Sequence, residues 1–255
     1  MVRPMTGQLR QMALYEPLNT LKPLSENLWI VDGPVVKMSL LGVKFPFPTR
    51  MTVIRLKTGQ LWCHSPTVLT PGLEAELGKL GPVTYLIAPN KLHYVHLPNW
   101  RQKYPNSLTW AADGVTERAA QHGISIQVDA QLRESEPAPW ADEIEACHFR
   151  GQFMEEVIFF HRPSRTLIVT DLIENFEPNR VPLWLRIPLR LAGNLAPHGK
   201  APLDLRLTFL RNKSQLRQQR HQLLDWHPQR IVLAHGALIE DNVVENLERA
   251  FRWLG

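Results

Sequence analysis

Short apolar runs separated by polar or Gly/Pro breaks dominate the chain, and most are too short to be helices. LWIVDG, ending at Gly33, reads as a strand. MTVIRL and LWCHSP flank KTGQ as two strands around a Gly-containing turn. VTYLIAP is a compact, β-branched run of the buried-strand type. SLTWAA, ISIQV, IEACHF, EEVIFFH and TLIVT continue the series, with HRPSR as the turn between the last two, and RIVLAHG closes it. Helices are marked by their ends. Thr70-Pro71 supplies a capping hydroxyl and a proline at the first helical position, and that segment stops near Gly81-Pro82. GVTERAAQHG, KSQLRQQRHQLLDW and NVVENLERAFRWLG are further helices, while the residues up to about Pro23 read as irregular.

Residues 178–205 interrupt this pattern, with prolines at 178, 182, 188, 197 and 202. Within them VPLWLRIPLRLAG mixes apolar residues with Arg186 and Arg190. It reads as a short amphipathic helix broken at Pro188. The segment is expected to be an insertion or lid near the site. Its apolar side is expected to cover the chain's own core, in preference to peripheral contact with an anionic membrane. The element order is hairpins, then β–α alternation, then further strands, then α–β–α. That is a layered α/β domain, and no composition shift divides it, so residues 1–255 are expected to form one domain.

Composition narrows the partners. Over 255 residues, 44% are hydrophobic and 21% charged, the balance of a globular protein rather than a disordered one. The net charge of +5 is scattered and no nucleic-acid motif accompanies it, so a small molecule is the expected partner and nucleic acid is not. Cys63 and Cys147 lack metal-type spacing and sit in apolar runs, which fits a reducing, cytoplasmic setting. The N-terminus carries no apolar core of signal-peptide length, and no run of about eighteen apolar residues suggests a transmembrane helix.

The candidate chemistry lies just after strands, where α/β sheets bind ligands. His93 and His96 follow VTYLIAP, Asp171 follows TLIVT, and His235 ends RIVLA. Three histidines and a carboxylate are a ligand set suited to one divalent ion of zinc, iron or manganese, or they are unrelated strand-end residues. Asp171, Glu155 and Lys91 are the candidate catalytic groups. His64 is a candidate pocket residue, and Ser65 beside it has no GxSxG surroundings.

The order LWCHSP, IAPNKLHYVH, RGQFMEEVIFFHRPSRTLIVTDLI and IVLAHG resembles the metallo-β-lactamase superfamily, and more narrowly its DUF4336 family, from about Leu21 to Leu254. The resemblance implies a four-layer αβ/βα sandwich, with two mixed sheets between outer helices. It also implies a metal site that has lost ligands. The superfamily's HxHxDH motif falls on residues 91–96, with Lys91 at its first histidine and Val95 at its aspartate. The later motif histidine falls near Gln152, a second candidate pocket residue. The resemblance thus implies at most one ion, held by His93, His96, Asp171 and His235. Four such ligands would close a tetrahedral site, whereas three would leave a position open for water. Two functions follow: a metal-dependent hydrolase on a small ester, amide or thioester, or a non-catalytic metal- or ligand-binding member with a structural or vestigial site, with or without its metal.

Overall fold

A computed structural model describes residues 11–40 and 43–255. The expectation for the N-terminus falls largely on residues 1–10, outside the described residues.

Two mixed sheets lie between outer helices. The first takes β1 (Lys22–Ser25), β2 (Leu28–Leu40), β3 (Val43–Arg55), β4 (Leu61–His64), β5 (Val83–Ala88), β6 (Leu108–Ala111) and β7 (Ala130–Gln131) in sequence order. Its first four strands pair antiparallel and the remainder parallel. Three helices punctuate the parallel part: α1 (Pro71–Leu80), α2 (Leu97–Lys103) and α3 (Val115–Gln121). The second sheet takes β8 (Ile144–Arg150), β9 (Glu155–His161), β10 (Thr166–Val169) and β11 (Arg230–Leu233), with order β11-β10-β9-β8. Between β10 and β11 run α4 (Leu183–Ala192), α5 (Leu203–Thr208) and α6 (Lys213–Asp225), and α7 (Val243–Ala250) follows β11.

Strand alternation builds the layers, because successive side chains point to opposite faces. In β4, Leu61 and Cys63 pack against Leu73 and Leu77 of α1 and Trp100 of α2, whereas Trp62 points into the space between the sheets. In β9, Ile158 and Phe160 join Leu216 and Leu223 of α6, whereas Val157 and Phe159 face Trp62 from the other side. Three apolar layers result: helices on the first sheet, sheet on sheet, and helices on the second sheet. A sheet buried on both faces must be nearly continuous in apolar residues, which explains runs such as LIVT and RIVL.

Several sequence expectations change. The strand expected to stop at Gly33 continues to Leu40, with a register shift between Asp32 and Val35. ISIQV is not a strand, although Ile124, Ile126 and Val128 still pack against the core; only Ala130–Gln131 pairs, beside β6. Pro188 does not break α4, which runs on to a left-handed Gly193 whose N–H reaches back to Leu189 O (2.9 Å). The cap at Thr70 is as expected: its Oγ1 accepts from Leu73 N at 3.2 Å. No described helix is long and apolar enough to cross a membrane.

Candidate metal centre

His93, Asp171 and His235 come together at the strand ends. One ligand atom from each lies within 4.8 Å of the others, and among the described residues this is the group of three or more metal-ligating side chains found. His93 Nε2 and His235 Nε2 each approach a different oxygen of Asp171, both at 3.3 Å. The ring centroids are 5.3 Å apart.

Each of the three is held by partners outside the triad. His235 Nδ1 lies 2.7 Å from Pro48 O, and a carbonyl can only accept, so the ring donates there. That fixes the tautomer and, in the neutral ring, turns the Nε2 lone pair toward Asp171. His235 Nε2 is buried and makes no well-directed hydrogen bond. His93 Nδ1 pairs with Ser65 Oγ at 2.6 Å. Ser65 stands in the left-handed region at φ 54°, immediately after β4. Asp171 Oδ2 accepts from Asn90 Nδ2 at 2.7 Å, and the same amide nitrogen donates to Thr170 Oγ1 at 2.9 Å. Beneath the turn, the Glu156 carboxylate accepts the backbone N–H groups of Thr170 (2.8 Å), Asp171 (2.8 Å) and Leu172 (3.0 Å).

The electrostatics follow from burial and neighbours. Burial alone would raise the Asp171 carboxyl, but the facing His93 and His235 outweigh it and hold the group far below the usual carboxylate range. His235 moves the other way: burial opposes its charge, and the Asp171 partner raises it. Burial and the charge of Asp171 push Glu156 up to about 7. Glu174, buried three residues beyond Asp171, is pushed up to about 8, mainly by burial. It accepts from Asn194 Nδ2 at 2.6 Å. Asp171 and Glu174 share a cavity of about 390 Å³ whose wall is mostly apolar, including Phe47, Leu92, Leu185 and Leu189, with Arg118 and Asp204 also lining it.

Other expected residues fall elsewhere. His96 does not join the group. It stands at the start of α2 with a buried, unpartnered Nε2, so three-residue spacing did not give a shared direction because residues 91–96 form turns rather than a helix. Glu155 faces away from Glu156 and pairs with His148 Nδ1 (2.8 Å) and Arg150 Nε (2.9 Å) of β8 rather than with the triad. Lys91 Nζ sits 3.6 Å from the Phe153 ring centroid, and Val95 is exposed. Gln152 is exposed, and its carboxamide oxygen accepts from Arg211 (2.8 and 3.0 Å). His64 is buried between the sheets, stacked on Trp62 at 5.4 Å. Burial, with His93 nearby, drives it down to about 3, so it is a neutral core residue behind the site.

The family model described as "Domain of unknown function (DUF4336)" matches residues 26–193. The chain belongs to the DUF4336 family. Solved structures place this DUF4336 protein among metallo-β-lactamase folds. DIM-1 metallo-β-lactamase is 11% identical, with a TM-score of 0.60 over 93% of this chain and 98% of that one. The metallo-β-lactamase FIM-1 from Pseudomonas aeruginosa, in its mono-zinc form, is 14% identical, with a TM-score of 0.58 over 97% and 99%. The enzyme from Pontibacter korlensis is 13% identical, with a TM-score of 0.57 over 92% and 98%. At these identities the likeness is one of fold. A search of curated proteins finds no match. The family match ends before β11, so His235 is placed in the site by the structure and not by the family model.

Proposed function

We propose that this chain is a metal-dependent hydrolase with a single divalent ion held by His93, Asp171 and His235, acting on a small ester, amide or thioester with an apolar part. One observation carries the reading: a His/Asp/His triad whose rings are fixed by Pro48 O and Ser65 Oγ, and whose Asp171 lines the cavity that Glu174 also lines. The donor set fits zinc, iron or manganese. The inward-facing Nε2 of His235, beside Asp171 without a well-directed hydrogen bond, is placed as a ligand nitrogen would be. With His96 outside the group there are three protein ligands, the pattern of an open catalytic site rather than a closed structural one. A bound ion would supply Lewis acidity and a water of lowered pKa.

The chain's own residues do the rest. Asn90 and Glu156 fix Asp171, Ser65 and Pro48 fix the rings, and the largely apolar wall gives an apolar part of a substrate its contact. Glu174, whose carboxyl burial pushes up, stands on the same cavity wall as the group to hand a proton to a leaving group. A reducing, cytoplasmic setting belongs to the same proposal, since Cys63 and Cys147 are buried and not disulfide-bonded.

A non-catalytic, ligand-binding role is the second reading, favoured by Lys91, Val95 and Gln152, which leave no second cluster among the described residues. Metal analysis of tag-free protein, followed by turnover assays on acyl ester and thioester panels, separates the two. About one equivalent of metal, lost in His235→Ala, with turnover lost in the same variant, supports the hydrolase. One equivalent without turnover supports the second reading with a structural site, and no metal without turnover supports it with a vestigial one; either overturns the hydrolase.

A further inference from the structure

The amphipathic segment expected to cover the core does so with only one face. In α4 Leu185 is buried and Leu189 lines the cavity, while Leu183, Ile187 and Leu191 are 52%, 70% and 77% exposed. At about 100° per residue these three exposed positions fall within one arc of roughly 80°, on the side away from Leu185. Arg186 and Arg190 fall together along one edge of that arc. The shorter α5 repeats the arrangement, with Leu205 buried and Leu203 and Leu207 50% and 58% exposed. The two helices are tied by Arg206, whose Nη2 donates to Ala192 O at 2.9 Å, and both wall the cavity at Asp171.

An exposed aliphatic stripe of this kind on a globular protein marks a contact surface. The charges decide which kind. From 178 to 203 the chain carries Arg180, Arg186, Arg190 and Lys200 and not one carboxylate, against a nearly even balance elsewhere. Glu177, just before that stretch, pairs with Arg180 at 3.2 Å, and Asp204, exposed on α5 at the cavity rim, is the first acid beyond it, so Arg186 and Arg190 carry the charge beside the stripe. Leucines and isoleucine bordered by arginine, on a helix lying across the molecule's surface, match an anionic lipid surface: aliphatic side chains enter the acyl region while guanidinium groups stay at the headgroups.

We propose that α4 and α5 form a docking surface for an anionic membrane, laid over the cavity of the His93/Asp171/His235 site. Peripheral contact, the less expected reading of the sequence, is thus the one that the exposed stripe favours. A substrate drawn from the lipid would then reach a cavity walled by the same two helices. That consequence rests on the hydrolase reading, whereas docking itself does not.

Co-flotation with phosphatidylcholine vesicles, with and without 30 mol % phosphatidylglycerol, tests the proposal in the full chain. It is read on the wild type and on His235→Ala, so that docking is scored without metal or turnover. The expected result is binding to the anionic vesicles in both proteins. It should fall about tenfold or more in Arg186→Glu/Arg190→Glu and be abolished in Ile187→Asp/Leu191→Asp. Ile187, Arg190 and Leu191 are exposed, so an unchanged thermal transition is expected to accompany the loss in Ile187→Asp/Leu191→Asp. Absence of binding to anionic vesicles would overturn the proposal. So would binding that survives Ile187→Asp/Leu191→Asp, or a dimer dispersed by that variant without any vesicle binding, which would make the stripe a self-association surface.

Discussion

Ser65 and Asn90 do not touch the position a metal would occupy, yet they set the geometry around it. Ser65 holds His93 through Nδ1, and Asn90 holds one oxygen of Asp171. Outer partners of this kind are typically worth about 10- to 100-fold in metal affinity. Ser65→Ala and Asn90→Ala should each weaken binding by that order in a chelator-competition titration; unchanged affinity would show that the triad positions itself. His161 offers a separate test at this scale, away from the site. It is buried, its Nδ1 meets Ser164 Oγ at 2.7 Å, and burial drives it down to about 4. The folded state thus refuses a proton that the unfolded chain accepts below about 6.5. Stability should therefore fall as pH drops from about 6.5 toward 4, by about 1.4 kcal/mol per pH unit for each such group. Denaturant unfolding of His161→Phe across this range should show a shallower acid-side loss than the wild type. Parallel pH profiles would refute the assignment.

Elements were legible where their ends or their alternation carried a physical signal. Thr70-Pro71 is one: the hydroxyl accepts from Leu73 N, so Thr70→Ala should cost about 1 kcal/mol in equilibrium unfolding without altering metal binding. The alternating strands β4, β9 and β10 were equally readable, because each face meets a different apolar layer. What misled was local pattern taken without its surroundings. HxxH suggested one helical face, but residues 91–96 turn instead, sending His93 to Asp171 and leaving His96 at the start of α2. Glu155 and Glu156 looked alike in sequence; strand alternation gives one to His148 and the other to the backbone of residues 170–172. Three of the four residues expected as ligands do come together, Asp171 and His235 two residues beyond buried strands and His93 on the turns that follow β5. Their supports were not legible: Pro48 acts through a backbone carbonyl, and Asn90 carries no motif of its own.

At the scale of the molecule, one side chain joins what the two sheets contribute to the site. Arg50 on β3 is buried, bonds Asp32 Oδ1 through Nε at 2.8 Å, and donates through Nη1 to both Leu233 O and Gly236 O at 2.7 Å. The carbonyls flank His235, whose own Nδ1 bonds Pro48 on the same strand as Arg50. The first sheet thus grips the end of β11 at three points. We propose on this ground that the two sheets form one domain and unfold as one cooperative unit. Removing the guanidinium would leave Asp32 with Lys22 alone at 2.7 Å and two carbonyls without their donor. Breaking a buried pair in this way typically costs about 3–5 kcal/mol. Arg50→Met should show that loss in denaturant unfolding, together with weakened metal binding, because His235 loses its frame. Arg50→Lys should recover little, since one ammonium cannot reproduce the fork. Far-UV dichroism and tryptophan fluorescence should give coincident transitions in the wild type. Separate transitions for the two probes would show that the sheets are independent units and that Arg50 merely lies between them.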